Sequence, residues 1–264
     1  MYCAISGHTG VLGKRFIRIS KKKFKFIKLK GDIRKKKNLE KWLDNNKIEA
    51  ILHFAAIVPT KKVKKNFQKA KDINTNSVKN ILKILKKNKK KVWFFLASSS
   101  HVYSFSKNRI SEKKKPRPIN KYGITKLLAE KALTDKRFNR YVNYCVGRIF
   151  SYTSPDQDQS FIVPSMFKKK NLKINSLNHC RDFTHIDDIC SAIKILCMSK
   201  KVGTFNIGSG KKVNLINLYN SIRGTSYSVP KKALTTHFAD NYKIKKIGWS
   251  PKNKIIDIIR DFKT

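Results

Sequence analysis

Ser99, Tyr122 and Lys126 lie downstream of a glycine-rich stretch, Ser6-Gly7-His8-Thr9-Gly10-Val11-Leu12-Gly13, and together they limit the chemistry open to this chain. Tyr122 and Lys126 stand one helical turn apart, so on a helix they share a face. A phenol with an ordinary pKa near ~10 is a poor base at neutral pH, and an adjacent ammonium favours its phenolate. A serine hydroxyl beside them can hydrogen-bond a reacting oxygen. Such a trio moves a proton while a hydride leaves or joins the same carbon. The glycines supply the other half. Gly7 permits a tight turn, Gly10 lets backbone approach a pyrophosphate, and Gly13 lets a helix pack closely on a strand. Free N–H groups at the start of that helix face the anion. The combination predicts a dinucleotide cofactor held at Gly7, Thr9, Gly10, Val11, Leu12 and Gly13, and therefore an enzyme.

Side chains so far apart in sequence need a scaffold, and the hydropathy pattern describes one. Apolar runs alternate with helical patterns, the signature of a parallel sheet wrapped by helices. Strands are expected at Tyr2–Ser6, Phe24–Leu29, Ala50–Ala55, Val92–Ala97 and Val142–Arg148. Helices are expected from Gly10, over Asn38–Asn45 (capped by Asn38), over Asn66–Leu85 as one long element, and over Lys121–Leu133. Beyond residue 150 the rhythm becomes irregular, with short helices at Ile162–Phe167, Ile186–Met198, Leu215–Ile222 and Ile255–Phe262 and brief strands at Leu172–Ile174 and Thr204–Ile207. The expected fold is α/β: a Rossmann-type doubly wound parallel sheet over residues 1–150. Residues 151–264 form a small C-terminal α/β substrate lobe with interleaved core elements.

An acidic residue about 20 positions beyond the glycines would bind the adenosine ribose of NAD. The second strand ends instead in Lys28-Leu29-Lys30, ahead of Gly31-Asp32-Ile33, which leans towards the 2′-phosphate of NADP. Lysine is abundant everywhere, however: 61 Lys and Arg stand against 16 Asp and Glu, a net charge of +45. Basic runs such as Lys21–Lys23, Lys61–Lys65, Lys86–Lys91 and Lys168–Lys170 recur along the whole chain, beside abundant Asn, Ile and Phe. This spread favours compositional bias over a dedicated polyanion site, so no specific nucleic-acid partner is expected. Five cysteines without a CxxC pair suggest reduced thiols in a cytoplasmic protein and no metal site. No apolar run reaches the ~18 residues of a membrane span, and the first residues lack a signal-peptide layout.

Further motifs follow in order: His53-Phe54-Ala55-Ala56, Asn74, Ser98-Ser99 before Val102-Tyr103, Arg181-Asp182-Phe183-Thr184-His185, Phe205-Asn206-Ile207-Gly208 and Ile247-Gly248-Trp249-Ser250-Pro251. With this set the chain resembles the extended short-chain dehydrogenase/reductase family, in its NAD-dependent epimerase/dehydratase branch acting on nucleotide sugars. The resemblance implies Tyr122 as catalytic acid/base, Lys126 on the nicotinamide ribose, and Ser99 polarising the substrate oxygen. It implies Asp32 and Ile33 bordering the adenine, and Ala55 and Ala56 lining the cofactor diphosphate and ribose. Ser100 and His101 would meet the substrate, Arg181 would clamp its diphosphate, and His53 and Asn74 would hold the scaffold. Members commonly pair as homodimers through two helices, here Asn66–Leu85 and Lys121–Leu133. Dehydratases of the branch carry an Asp-Glu pair where this chain has Ser100 and His101, so dehydration is disfavoured. Combined epimerase-reductases place a cysteine at the His101 position, which admits His101 as an additional proton-transfer group; the position of the usual histidine partner holds Phe161, which favours an ordinary pocket-edge histidine instead. The implied activity is C4 epimerisation or 4-keto reduction of a nucleotide-activated sugar with NAD or NADP. The alternative is a binding module of the same fold that uses its basic surface on RNA or an anionic membrane.

Overall fold

The structure is a computed structural model that describes residues 1–44, 47–58, 60–168 and 172–263. Asn45, at the end of one expected helix, and Lys169 and Lys170, in one basic run, lie outside the described residues. The chain opens with β1 (Tyr2–Ser6), α1 (Val11–Ser20), β2 (Lys25–Lys28), α2 (Lys36–Leu43) and β3 (Ala50–His53). Two short helices follow, α3 (Thr60–Lys65) and α4 (Phe67–Lys71), then a π-helical turn (Asp72–Asn76) running into α5 (Ser77–Lys87). Next come β4 (Val92–Ser99), α6 (Lys121–Leu133) and β5 (Val142–Ile149). The remainder contains β6 (Ser151–Thr153), α7 (Ile162–Lys168), β7 (His179–Arg181), β8 (Phe183–His185), α8 (Ile186–Met198) and β9 (Gly203–Ile207). It closes with β10 (Val213–Asn214), α9 (Leu215–Arg223), β11 (Thr235–His237), α10 (Tyr242–Lys245) and α11 (Ile255–Asp261).

Six strands form one parallel sheet in the order β2-β1-β3-β4-β5-β9. Every residue of β3 and β4 is buried, as strands covered on both faces must be. Phe16 of α1 and Ile189, Ile193 and Leu196 of α8 cover one face in a core with Ile5, Leu52 and Phe95. Leu39 and Trp42 of α2, Ile81 and Leu85 of α5, and Ala129 and Leu133 of α6 cover the other. The sheet is therefore doubly wound and Rossmann-type. The chain steps outward from β1 to β2, then returns past β1 to β3, so a crevice opens between the carboxyl ends of β1 and β3, where ligands of such sheets bind. A separate core of Val163, Met166, Leu215, Tyr219 and Ile258 unites α7, α9 and α11 above that crevice, beside the three-stranded sheet β10-β7-β11. Residues beyond 150 also return to the main sheet, supplying β9 and α8. Among the described residues no helix is long and apolar enough to cross a membrane.

Two sequence expectations are corrected and one is refined. Asn38 does not cap its helix. α2 starts at Lys36, and Asn38 turns back from its first turn to donate to the Asp32 carbonyl at 2.9 Å. The long helix expected over Asn66–Leu85 is present as one continuous stretch from Phe67 to Lys87 but is not regular: Asn66 caps α4 by accepting the Lys69 N–H at 2.9 Å, and the π turn widens the repeat further on. Leu172–Ile174 forms no strand, because Ile174 starts the 3₁₀ turn Ile174–Leu177.

Candidate active site

The glycine loop joins β1 to α1. Gly7 has φ +73°, in the left-handed region that favours glycine, and a Cβ there would strike the Ala55 amide nitrogen. A Cβ on Gly13 would strike the Gly7 carbonyl oxygen, so α1 approaches the loop only because Gly13 has no side chain. Gly10 differs: its Cβ would meet only the Gly7 carbonyl oxygen, at 3.4 Å, and the space beyond it is open. Gly10 caps α1 without a side-chain hydrogen bond, and the first turn of α1 holds no acid. Its leading amides are thus available to an anion. This cradle fits a dinucleotide diphosphate.

The catalytic candidates come from two elements that a fourth glycine brings together. β4 ends at Ser99, whose Oγ accepts the His101 N–H at 3.2 Å and starts a 3₁₀ turn. α6 starts at Lys121, capped by Asn120, whose Oδ1 accepts the Gly123 N–H at 2.8 Å. A Cβ on Gly123 would strike the His101 carbonyl oxygen, so this glycine lets the first turn of α6 lie against the end of β4. Ser99, Tyr122 and Lys126 consequently line one cavity of about 730 Å³, together with the glycine loop, Ala55, Ala56, Ser100, His101 and Arg181. That volume suits a small-molecule site. Asp32 and Ile33 do not line the cavity: Ile33 is buried in the core, and Asp32 lies beyond β2, its carboxylate gripped by the Arg34 guanidinium at 2.5 Å. This pairing holds the Asp32 carboxyl down at about 2.

Electrostatics refine the expected pairing of phenol and ammonium. Burial pushes the Tyr122 phenol well above its ordinary value, Tyr152 adds to the rise, and the Ser99 hydroxyl opposes it. Lys126 is itself buried and falls to about 8, with Glu130 pulling the other way. The resting Tyr122 is therefore a protonated phenol over a lysine poised between its two charge states. Glu130, one turn beyond Lys126, is held in turn by Arg148 at 2.6 Å. Ser98 donates to the same carboxylate.

Arg181 on β7 donates to the carbonyls of Cys180 at 2.8 Å and Thr235 at 3.2 Å, and its guanidinium stacks on Phe105 at 5.2 Å. No carboxylate pairs with it among the described residues, although it is largely buried, and burial lowers its pKa. Lys61, Lys126, His101, His179 and Arg181 line the cavity, whereas no Asp or Glu does among the described residues. The cavity attracts anions.

His53 and Asn74 support the walls. His53 bonds Ser6 Oγ at 2.9 Å and is held neutral by burial, its pKa reduced to about 3. Asn74, presented by the π turn, accepts the Ile57 N–H at 2.8 Å and donates to Ile57 O at 3.1 Å and Thr125 Oγ1 at 3.0 Å. It ties the loop after β3 to α6. Sequence reasoning missed the wall after β5, Phe150 to Thr153, and with it Tyr152. The rule that ligands gather at carboxyl ends of parallel strands applies to β5 as it does to β4. It also missed His179, which shares a face of β7 with Arg181 by simple alternation. His237, on β11 behind His101 with ring centres 6.5 Å apart, carried no local signal.

A family model described as GDP-mannose 4,6 dehydratase matches residues 13–232. The ADP-L-glycero-D-manno-heptose-6-epimerase of Brachyspira hyodysenteriae is 30% identical over 200 residues, which cover 70% of this chain and 61% of that protein. Among solved structures the chain is similar to RMD from Pseudomonas aeruginosa complexed with NADPH, with TM-score 0.86, 19% identity, and coverage of 99% of this chain and 98% of that one. It is also similar to the UDP-glucuronic acid 4-epimerase of Bacillus cereus in complex with UDP-glucuronic acid and NAD, with TM-score 0.85, 22% identity, and coverage of 99% and 97%. The chain belongs to the extended short-chain dehydrogenase/reductase family, in the branch of nucleotide-sugar epimerases, dehydratases and reductases.

Proposed function

We propose that this member of the family is an NAD(P)-dependent oxidoreductase or epimerase acting on a nucleotide-activated sugar, by C4 epimerisation or 4-keto reduction. The observation that carries the proposal is the single cavity lined by the glycine cradle, by Ser99, Tyr122 and Lys126, and by the acid-free Arg181. The bound nicotinamide would supply or accept the hydride. Tyr122 then gives its proton to a carbonyl oxygen during reduction, or takes it from a hydroxyl during oxidation, while Ser99 hydrogen-bonds that oxygen. Lys126 beneath Tyr122 stabilises the phenolate when its own ammonium is charged. The amides at the start of α1 hold the cofactor diphosphate, and the Arg181 guanidinium takes that of the sugar nucleotide.

Dehydration is excluded from the proposal although the matching family model bears a dehydratase description. Eliminating water from a sugar needs an acid and a base beyond the tyrosine, and no carboxylate lines the described cavity. NADP is favoured over NAD because Asp32 is already paired with Arg34, and Lys28 and Lys30 flank the end of β2. Two copies are expected to pair through the Asn66–Leu85 and Lys121–Leu133 helices, which sedimentation checks directly.

Mass spectrometry of the native protein should reveal co-purified nicotinamide cofactor for an epimerase. A reductase should instead consume NADPH stoichiometrically with a 4-keto sugar nucleotide. In a screen of nucleotide sugars, Tyr122→Phe should lose at least ~100-fold in turnover. Equal turnover by parent and variant would remove Tyr122 from the chemistry.

A further inference from the structure

Asn120 caps α6 with its Oδ1, which accepts the Gly123 N–H at 2.8 Å. Because a backbone N–H can only donate, the orientation of this amide is settled: its NH₂ group faces the other way. There it meets His101 Nδ1 at 3.0 Å. The nitrogen that accepts this bond carries no proton, so a neutral His101 must be protonated on Nε2. Burial and the Arg181 charge do keep it neutral, lowering its pKa to about 4. The groups facing the ring are Arg181 of β7, His237 of β11 and Tyr122 of α6, and none is an anion that would favour an imidazolium. Nε2 has no hydrogen-bond partner among the described residues, and His101 lines the cavity edge-on to the Tyr122 ring at 5.6 Å.

We propose that His101 is a neutral Nε2–H donor that binds an oxygen of the sugar next to the one held by Ser99 and Tyr122, with Asn120 as the positioning residue that sets its tautomer. The inference rests on the nucleotide-sugar assignment above and departs from a proton-transfer role for this histidine. Its chemistry follows from what it faces. An N–H that faces the cavity without a protein partner selects an acceptor from whatever fills that cavity, and the carbon beside the reacting centre of a sugar carries a hydroxyl oxygen. Ser99 serves the reacting oxygen, since its own oxygen accepts the His101 N–H and its proton is left to donate. A substrate lacking that neighbouring oxygen leaves the Nε2–H unpaired and is discriminated against.

Two measurements test this. Long-range ¹H–¹⁵N spectra of histidine-labelled protein, with the His101 signal identified by its loss in His101→Gln, should show the Nε2–H tautomer unchanged from about pH 8 to pH 5. Asn120→Asp keeps the helix cap but offers an acceptor to Nδ1, and should convert that signal to the Nδ1–H or imidazolium form. An Nδ1–H tautomer, or an imidazolium near neutral pH, in the parent protein would overturn the proposal. The second measurement compares binding of UDP-, GDP-, ADP- and dTDP-glucose with binding of the corresponding nucleoside diphosphates. For whichever sugar nucleotide binds, His101→Ala should weaken affinity about tenfold and leave the diphosphate unaffected, and His101→Gln should recover most of the loss. Equal losses for both ligands, no loss at all, or a loss in kcat with a new limb near neutral pH would refute the sugar contact. Failure of all four to bind would refute the nucleotide-sugar assignment and this contact with it, while the spectrum decides the tautomer independently.

Discussion

Replacing Glu130 by alanine removes the anion of an ion pair whose partners expose only 8% and 5% of their side chains. Arg148 donates to Glu130 through Nε at 3.1 Å to both oxygens and through Nη2 at 2.6 Å. Among the described residues only the Tyr103 hydroxyl, at 2.7 Å from Nη1, remains as an acceptor once the carboxylate is gone. An uncompensated buried guanidinium of this kind costs about 3–5 kcal/mol. At roughly 2–4 °C per kcal/mol for a chain of this size, the melting temperature should fall by about 6–20 °C. Calorimetry of the cofactor-free protein, backed by urea titration, measures it. The double variant Glu130→Leu/Arg148→Met should return to within ~2 kcal/mol of the parent, because most of the single-variant cost is the orphaned charge. A single variant less than about 1 kcal/mol below the parent would refute this account. So would a double variant no better than Glu130→Ala.

Lys126→Met should abolish activity yet raise stability by roughly 1–3 kcal/mol at neutral pH, since a buried ammonium disfavours the folded state. The folded pKa lies near 8 and the unfolded value at 10.5, so the gain is full below about 8 and vanishes as pH rises through 10.5. Denaturant titrations at pH 7 and pH 10.5 check the sign. Gly13→Ala drives a methyl into the Gly7 carbonyl oxygen. It should cost ~1–3 kcal/mol and weaken 5′-ADP binding, read by calorimetry. On the parent protein 2′,5′-ADP should bind at least ~10-fold tighter than 5′-ADP, and Arg34→Ala should shrink that ratio. Equal affinities would favour NAD.

Where local pattern and long-range packing agree, the sequence was readable. Helix α6 begins and ends at Lys121 and Leu133 as expected, because Asn120 caps its start, although its buried face carries Lys126 and Glu130 beside Ala129 and Leu133. Helix α8 likewise runs over Ile186–Met198. The misread elements depend on partners distant in sequence. Asn38 looks like a cap, but it belongs to the Gly31-Asp32 loop, where a Cβ on Gly31 would sit 2.6 Å from its amide. The π turn has no local signature, since Asn74 is drawn to Ile57 and Thr125. Tyr122 beside Lys126 was visible as a spacing, whereas the depth of burial that protonates the phenol appears only once Val63 of α3 and Ala70 of α4, with Ile57 and Val58 of the loop after β3, pack around its ring. His237 reaches His101 only because β11 pairs with β7, a register that no short window contains.

The widened turn at Asp72–Asn76, with the Ser77 N–H reaching back to the Asp72 carbonyl, is a matter of count as well as composition. Within it stands Asn74's grip on the loop after β3; beyond it α5 is seated in the core through Ile81 and Leu85. Removing one residue would restore the ordinary helical repeat but swing one side about 100° relative to the other. Evolution can thus exchange side chains along this stretch far more readily than it can shorten or lengthen it. Single-residue deletion scanning should find intolerance concentrated between positions 72 and 76, in a place where a smoother helix makes a less competent protein.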